Sequence, residues 1–151
     1  MTKSLGIISS GALAAFLSAT PAALAETIAT ADGEQSGVRI DLTELKRTSG
    51  GTVMLKFTLV NDSGADVSPY NLFNRNDVSD VHLIDAAGKK KYPTITDSSG
   101  KCVCAGNLEH SFPGGQNSMN LWARFPAPPA EVKEVSVVFP HFIPTDAPIS
   151  E

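Results

Sequence analysis

The sequence predicts an all-β antiparallel sandwich of about seven strands, and three observations predict it. Apolar and polar side chains alternate at period two through much of the chain, turn-forming residues interrupt that alternation at the ~8–12-residue spacing of short strands, and nothing after residue 25 offers an apolar stripe at helical spacing. Period two makes one face of each strand dry and the other wet. Two stacked sheets satisfy that pattern. A barrel closed around a ligand satisfies it too and stands as the alternative.

Residues 1–25 read as a secretory signal peptide. Lys3 supplies the positive start, 5–17 an apolar run broken only by Ser and Gly, and Pro21 followed by Ala23-Leu24-Ala25 a small-residue cleavage site. No Cys follows to accept a lipid, and no later apolar run approaches the ~20 residues of a membrane span. The expectation is a soluble exported chain beginning at Glu26, with no transmembrane segment once the signal is removed. Removing 25 of 151 residues leaves 126, which fits one domain.

Residues 26–37 are small, polar and aperiodic, and the expectation there is a flexible leader, with the folded domain spanning 38–151. Val38, Ile40 and Leu42 alternate with Arg39, Asp41 and Thr43, the pattern of a half-buried strand. Thr48-Ser49-Gly50-Gly51 makes a turn. The run 52–60 then places Val53, Leu55, Phe57 and Leu59 on one side, a core strand paired to the first. Asn61-Asp62-Ser63-Gly64 stops it.

Residues 71–80 show no clear period and read as a loop or short edge strand. A strand follows at 81–84, then Asp85-Ala86-Ala87-Gly88 as a tight connection with Gly at a left-handed position, then a returning strand over 90–96 whose Pro93 belongs on an edge. Residues 98–115 form the longest irregular region. Beyond it Met119, Leu121, Ala123 and Phe125 share one face and Ser118, Asn120, Trp122 and Arg124 the other. Trp122 is expected to fill core on the second side, the alternative being an exposed anchor. After Pro126-Ala127-Pro128-Pro129, Val135, Val137 and Phe139 alternate through a last strand at 132–139. Whether 140–151 packs or hangs free is left open by the residues.

Removal of Lys3 with the signal leaves 11 Lys and Arg against 16 Asp and Glu, a net charge of −5. Nucleic-acid binding needs clustered cations, and the one cluster, Lys89-Lys90-Lys91, reads as a solvated hairpin end. No nucleic-acid partner is expected.

Cys102-Val103-Cys104 admits three readings. Outside the cytoplasm two cysteines oxidise, and these are each other's only partners in the chain, so a disulfide leads. In extended backbone their Cα atoms would lie about 6.5–7 Å apart, so the bridge needs a contracted, turn-like segment, for which Gly100 and Gly106 supply slack. The second reading is a soft-metal site for copper or zinc built from Cys102, Cys104, His110 and Met119. The third is a redox-active dithiol.

His82, His110 and His141 are isolated and read as surface or hydrogen-bonded residues. Asn74, Asn76, Asp77 and Asp80 carry oxygens of a kind that Ca²⁺ binds, without a regular calcium loop, and loop solvation is the favoured reading. No serine-hydrolase elbow, Walker loop, His-Glu-x-x-His or dinucleotide fingerprint is present. The expectation is therefore no enzyme, no catalytic residue and no cofactor.

Two stretches carry a resemblance: Leu83-Ile84-Asp85-Ala86-Ala87-Gly88-Lys89-Lys90-Lys91-Tyr92 running on to Cys102-Val103-Cys104, and Leu121-Trp122-Ala123-Arg124-Phe125-Pro126-Ala127-Pro128-Pro129 running on to Pro148-Ile149. Together they resemble immunoglobulin-like domains of bacterial exported proteins and lipoproteins, some of which precede a peptidoglycan-binding domain of the outer-membrane-protein type. The resemblance implies an immunoglobulin-like sandwich, an extracytoplasmic setting and a paired Cys-x-Cys, and it carries over no catalytic residue. The expected role is an exported, periplasmic or secreted, non-catalytic binding or structural module of the cell envelope. Its partner would be an envelope protein or cell-wall component. The competing role is a soft-metal or thiol-redox protein using the cysteine pair.

Overall fold

The computed structural model describes residues 25–151. The signal-peptide reading thus lies almost entirely outside the described residues. Within them eight strands and one short helix follow in order: β1 Ala29–Asp32, β2 Val38–Thr48, β3 Thr52–Asn61, α1 Pro69–Leu72, β4 His82–Asp85, β5 Lys90–Pro93, β6 Asn117–Pro126, β7 Glu134–Val138 and β8 Thr145–Pro148. They build two antiparallel sheets, β1-β2-β3-β6 and β5-β4-β7-β8. The sandwich is as expected; its strand count is one higher.

Alternation explains the long strands. Val53, Leu55, Phe57 and Leu59 of β3 and Leu121, Ala123 and Phe125 of β6 are buried, and all face the second sheet, which contributes Leu83, Tyr92, Val135, Val137 and Ala147. Phe57 sits at the centre, its ring 5.0 Å from that of Phe139 and 6.2 Å from that of Phe73. In β2 the inward residues are Val38, Ile40, Leu42 and then Leu45. A register shift between Leu42 and Glu44 absorbs the odd step, so a bulge returns Leu45 to the core.

Two expectations are corrected here, and at 71–80 the loop alternative is the one found. Residues 26–37 are not a free leader, because β1 pairs with β2 from Ala29 opposite Leu42 to Asp32 opposite Arg39, and Ala31 is buried. Residues 71–80 hold no strand. Ser68 caps α1 by accepting from the Asn71 N–H at 3.3 Å, with Pro69 at the first helical position, and turns follow. In the β4–β5 connection the left-handed residue is Lys89, φ 52°, rather than Gly88. Gly88 is needed for another reason: the Asp85 carboxylate folds back to accept its N–H at 2.9 Å, and a Cβ there would meet that carboxylate at 2.2 Å.

Both open flanks of the sandwich are stitched. On one, Ile143 N–H donates to Asp32 O, and beyond β8 the chain crosses to the first sheet, where Arg47 N–H donates to Ser150 O and Ser150 N–H to Leu45 O. Residues 140–151 therefore pack, and Ile149 is buried. On the other flank, Ile95 N–H donates to Arg124 O. These are isolated bridges between two separate sheets, not a continuous barrel ladder.

The turn after β3 is fastened by Asn61, which is fully buried. Its Nδ2 donates to Ala65 O and Phe112 O at 3.0 Å each, and its Oδ1 accepts from Ser63 N–H and Oγ. All of its hydrogen-bonding capacity is used, which is what burial of an amide requires. Among the described residues no helix is long and apolar enough to cross a membrane.

Candidate functional site

The region expected to be irregular, 98–115, begins inside an ordered surface hairpin. Residues 95–103 double back as a small hairpin: Thr96 faces Cys102, Val103 N–H donates to Ile95 O at 2.8 Å, and Asp97 N–H donates to Lys101 O at 2.8 Å. Gly100, φ +81°, turns the tip. The Asp97 carboxylate closes that tip from inside, accepting from Ser99 N–H at 2.8 Å, Ser99 Oγ at 2.6 Å and Lys101 N–H at 3.0 Å. The Ser99 hydroxyl, and then the Lys101 N–H, hold the Asp97 carboxyl below its ordinary value.

At the base of the hairpin the sulfurs of Cys102 and Cys104 lie 2.06 Å apart, at disulfide distance, with their Cα atoms 5.3 Å apart. The segment is contracted relative to a strand, as a bridge over one intervening residue demands. Contraction occurs within Cys-Val-Cys itself, while Gly100 serves the tip. Immediately beyond, the chain lies along the outer edge of β6: Arg124 N–H donates to Val103 O and Ala105 N–H to Trp122 O. That edge would otherwise present unpaired backbone groups.

The hairpin walls a cleft of about 840 Å³ whose lining includes Arg75, Asp77, Asp80, Lys101 and both cysteines. Arg75 bridges to Asp80 at 3.2 Å. The Ser79 hydroxyl in the same cleft is buried and meets no hydrogen-bond partner among the described residues. The cleft offers hydrogen-bonding groups of both charges around a disulfide. Such a lining suits recognition of a polar partner.

The structure does not gather the four residues of the soft-metal reading. The His110 ring packs on Tyr70, centroids 4.5 Å apart, Met119 packs against the core from β6, and the two sulfurs are joined to one another. Met119 is also four residues along β6 from Ala123, the residue facing Cys104, a separation of about 13 Å. Of the oxygens weighed for calcium, Asn76, Asp77 and Asp80 line the cleft together, with Asp77 Oδ1 accepting the Ser79 N–H and Asp80 paired with Arg75, while Asn74 lies outside it with its Oδ1 on His141. Among the described residues no group of three or more His, Cys, Asp or Glu converges on one point.

The histidines are hydrogen-bonded or stacked. His82 Nδ1 meets Asp80 O at 3.2 Å, and His141, φ 63°, spans Glu34 at 3.3 Å and Asn74 at 3.1 Å, tying three loops together. Lys89, Lys90 and Lys91 are exposed at the β4–β5 hairpin end. Trp122 requires correction. It is 38% exposed, because the first sheet has core on one face only and Leu121, Ala123 and Phe125 occupy it. Comparison with family models, curated proteins and solved structures finds no match to this chain.

Proposed function

We propose that the protein is an exported, non-catalytic binding module of the bacterial envelope that recognises a polar partner through the 95–103 hairpin and the cleft beside it. One observation carries this reading: the Asp97 carboxylate closes the hairpin tip with three hydrogen bonds, and the Cys102–Cys104 bridge fixes the returning arm in a contracted turn where it leaves the hairpin. A loop held in one shape before binding gives up little entropy on binding. The signal-like 1–25 stretch, the cysteine pair and the resemblance to immunoglobulin-like domains of exported proteins support the compartment. Loops on a rigid sandwich are the usual place for recognition.

Capture from an envelope extract tests it. The wild-type protein should retain a defined partner, and D97A or the C102S/C104S pair should retain about tenfold less, as expected when a recognition element is disordered. Recovery of no partner, or equal recovery by the opened variants, overturns the proposal. A second reading, thiol–disulfide exchange, is favoured by the position of the bridge in the wall of an open cleft beside Lys101. Thiol counting with intact mass on exported protein separates the two: two free thiols in the native protein support exchange, and a permanent loss of two hydrogens supports a fixed bridge.

A further inference from the structure

The outer face of sheet β1-β2-β3-β6 divides by charge. Strand pairing sets its side chains in rows: Lys46, Met54 and Arg124 form one, and Glu44, Lys56 and Trp122 the next. Around Met54 three cations therefore meet one carboxylate, and Lys56 Nζ already holds that carboxylate at 3.0 Å. Lys46 and Arg124 make no ion pair among the described residues. At the opposite end the balance reverses, because Arg39 alone faces Asp41, at 3.1 Å, and Asp62. The Met54 end is thus locally positive on a chain that is acidic as a whole.

Arg124 is the fixed cation of the row. Its N–H donates to Val103 O and its carbonyl accepts from Ile95 N–H, its side chain is half-buried, and its Nε is buried without an acceptor among the described residues. A guanidinium held in this way offers its other N–H groups to an anion as a planar fork. Lys46 is exposed two strand spacings away, about 10 Å between Cα atoms, so both cations can act on one chain lying across the strands. Met54 and the 38% exposed Trp122 also border a groove of about 700 Å³ that Thr58 and Asn120 line. There Thr58 Oγ1 donates to Asn120 Oδ1 at 2.9 Å, which leaves the Asn120 amide N–H groups without a partner among the described residues.

An occupant complementary to this end brings negative charge to Arg124 and Lys46, an apolar face to the indole and hydroxyl groups to Asn120. A uronate pyranose carries all three on one ring. An acidic peptide would meet the cations but find no partner for its main chain, since β2 and β3 are interior strands of the sheet. A flat anionic membrane would lie over Asp41 and Asp62 as well. We propose that the Met54 end of this face binds an acidic polysaccharide of hexuronate units, with Arg124 and Lys46 on its carboxylates and Trp122 against a ring. The inference rests on the reading of the protein as a binding module and adds a second ligand on a second surface. Trp122 is the only tryptophan, so intrinsic emission reports on this face alone.

The exported protein is titrated with oligogalacturonate and oligomannuronate, and with their methyl esters, which keep the ring and remove the charge. At least one free acid should give a saturable emission change that weakens as salt is raised, and its ester should bind about tenfold more weakly or worse. By calorimetry Arg124→Gln should weaken binding about tenfold and Lys46→Ala about threefold. Lys91→Ala, which removes the same charge from the other sheet, should bind as wild type does, and all three variants should keep the wild-type far-ultraviolet circular dichroism. The proposal is overturned if neither acid changes the emission at millimolar concentration, if the esters bind equally, or if Lys46→Ala and Arg124→Gln both bind like wild type. Tighter binding of polyglutamate or of phosphatidylglycerol vesicles also overturns it, because the occupant is then a peptide or a lipid surface. Hairpin-dependent capture from envelope extract is read separately. Its survival when uronate binding fails removes only this inference, whereas loss of both removes the binding-module reading as well.

Discussion

Strand β6 is held along its two edges by opposite means. On one edge it pairs with β3 continuously, from Asn117 opposite Asn61 to Pro126 opposite Thr52, and every second side chain from Leu121 to Phe125 enters the core. On the other it meets 94–105, where Val103 and Ala105 are half-buried, the tip is exposed, and order comes from a covalent bridge and a carboxylate with three donors. Burial organises the first region and local bonding the second. The first should therefore set global stability, and the second should set local shape with little effect on the whole.

Phe57→Ala probes the buried side and has the largest expected effect. It empties the centre of the core between Phe139 and Phe73 and should cost about 3–5 kcal/mol, a large part of a domain's ~5–15 kcal/mol. Urea denaturation followed by circular dichroism measures it, and a loss under about 1 kcal/mol would show that the sheets are not held by this contact. C102S/C104S probes the other side. The bridge spans a sequence separation of 2, so its effect on the unfolded chain lies well below the ~3 kcal/mol of a 15-residue loop. The urea midpoint should move little, while amide exchange at Val103 and Ala105 accelerates. A global loss matching that of Phe57→Ala would erase the distinction between the two edges.

The smallest effect belongs to Asp97. Its carboxyl is held below its ordinary value by the Ser99 hydroxyl and the Lys101 N–H, so ionisation is more favourable in the folded hairpin than in the unfolded chain. The stabilisation is complete above the unfolded value of 3.8 and disappears as pH falls through the lower folded value. Amide resonances of Ser99 and Lys101 should move together on acidification below pH 3.8 while those of β3 stay fixed, and Asp97→Asn should abolish the movement. Unchanged tip resonances in the wild type would mean that the carboxylate does not hold the turn.

The same contrast explains what the sequence made legible. β2, β3, β4, β6 and β7 were readable because their buried side chains repeat at period two, β5 because a tight turn after β4 requires a returning strand, and the cysteine pair because an oxidising compartment leaves it one partner. β1 and β8 were not, since each buries a single alanine, Ala31 and Ala147, and owes its order to neighbouring strands. The bulge in β2 does leave a trace in the residues: Val38, Ile40, Leu42 and Leu45 break step by one residue. Periodicity assigned Trp122 to the face opposite Phe125, yet nothing in a strand's own residues says whether a third layer covers it. The hairpin tip was opaque for a different reason, because hydrogen bonds from one carboxylate to neighbours two and four residues on leave no periodic signature.

The stitch between Leu45 and Ser150 joins positions 105 apart in sequence. Past Leu42 the outer edge of β2 extends beyond the end of β1, so its backbone groups at Leu45 and Arg47 wait for residue 150. A polypeptide emerging residue by residue can assemble β2 with β3 early but leaves this seam exposed until nearly 150 residues are out. In that interval the seam is a free edge, open to pairing with another nascent chain and to any holdase that shields such edges.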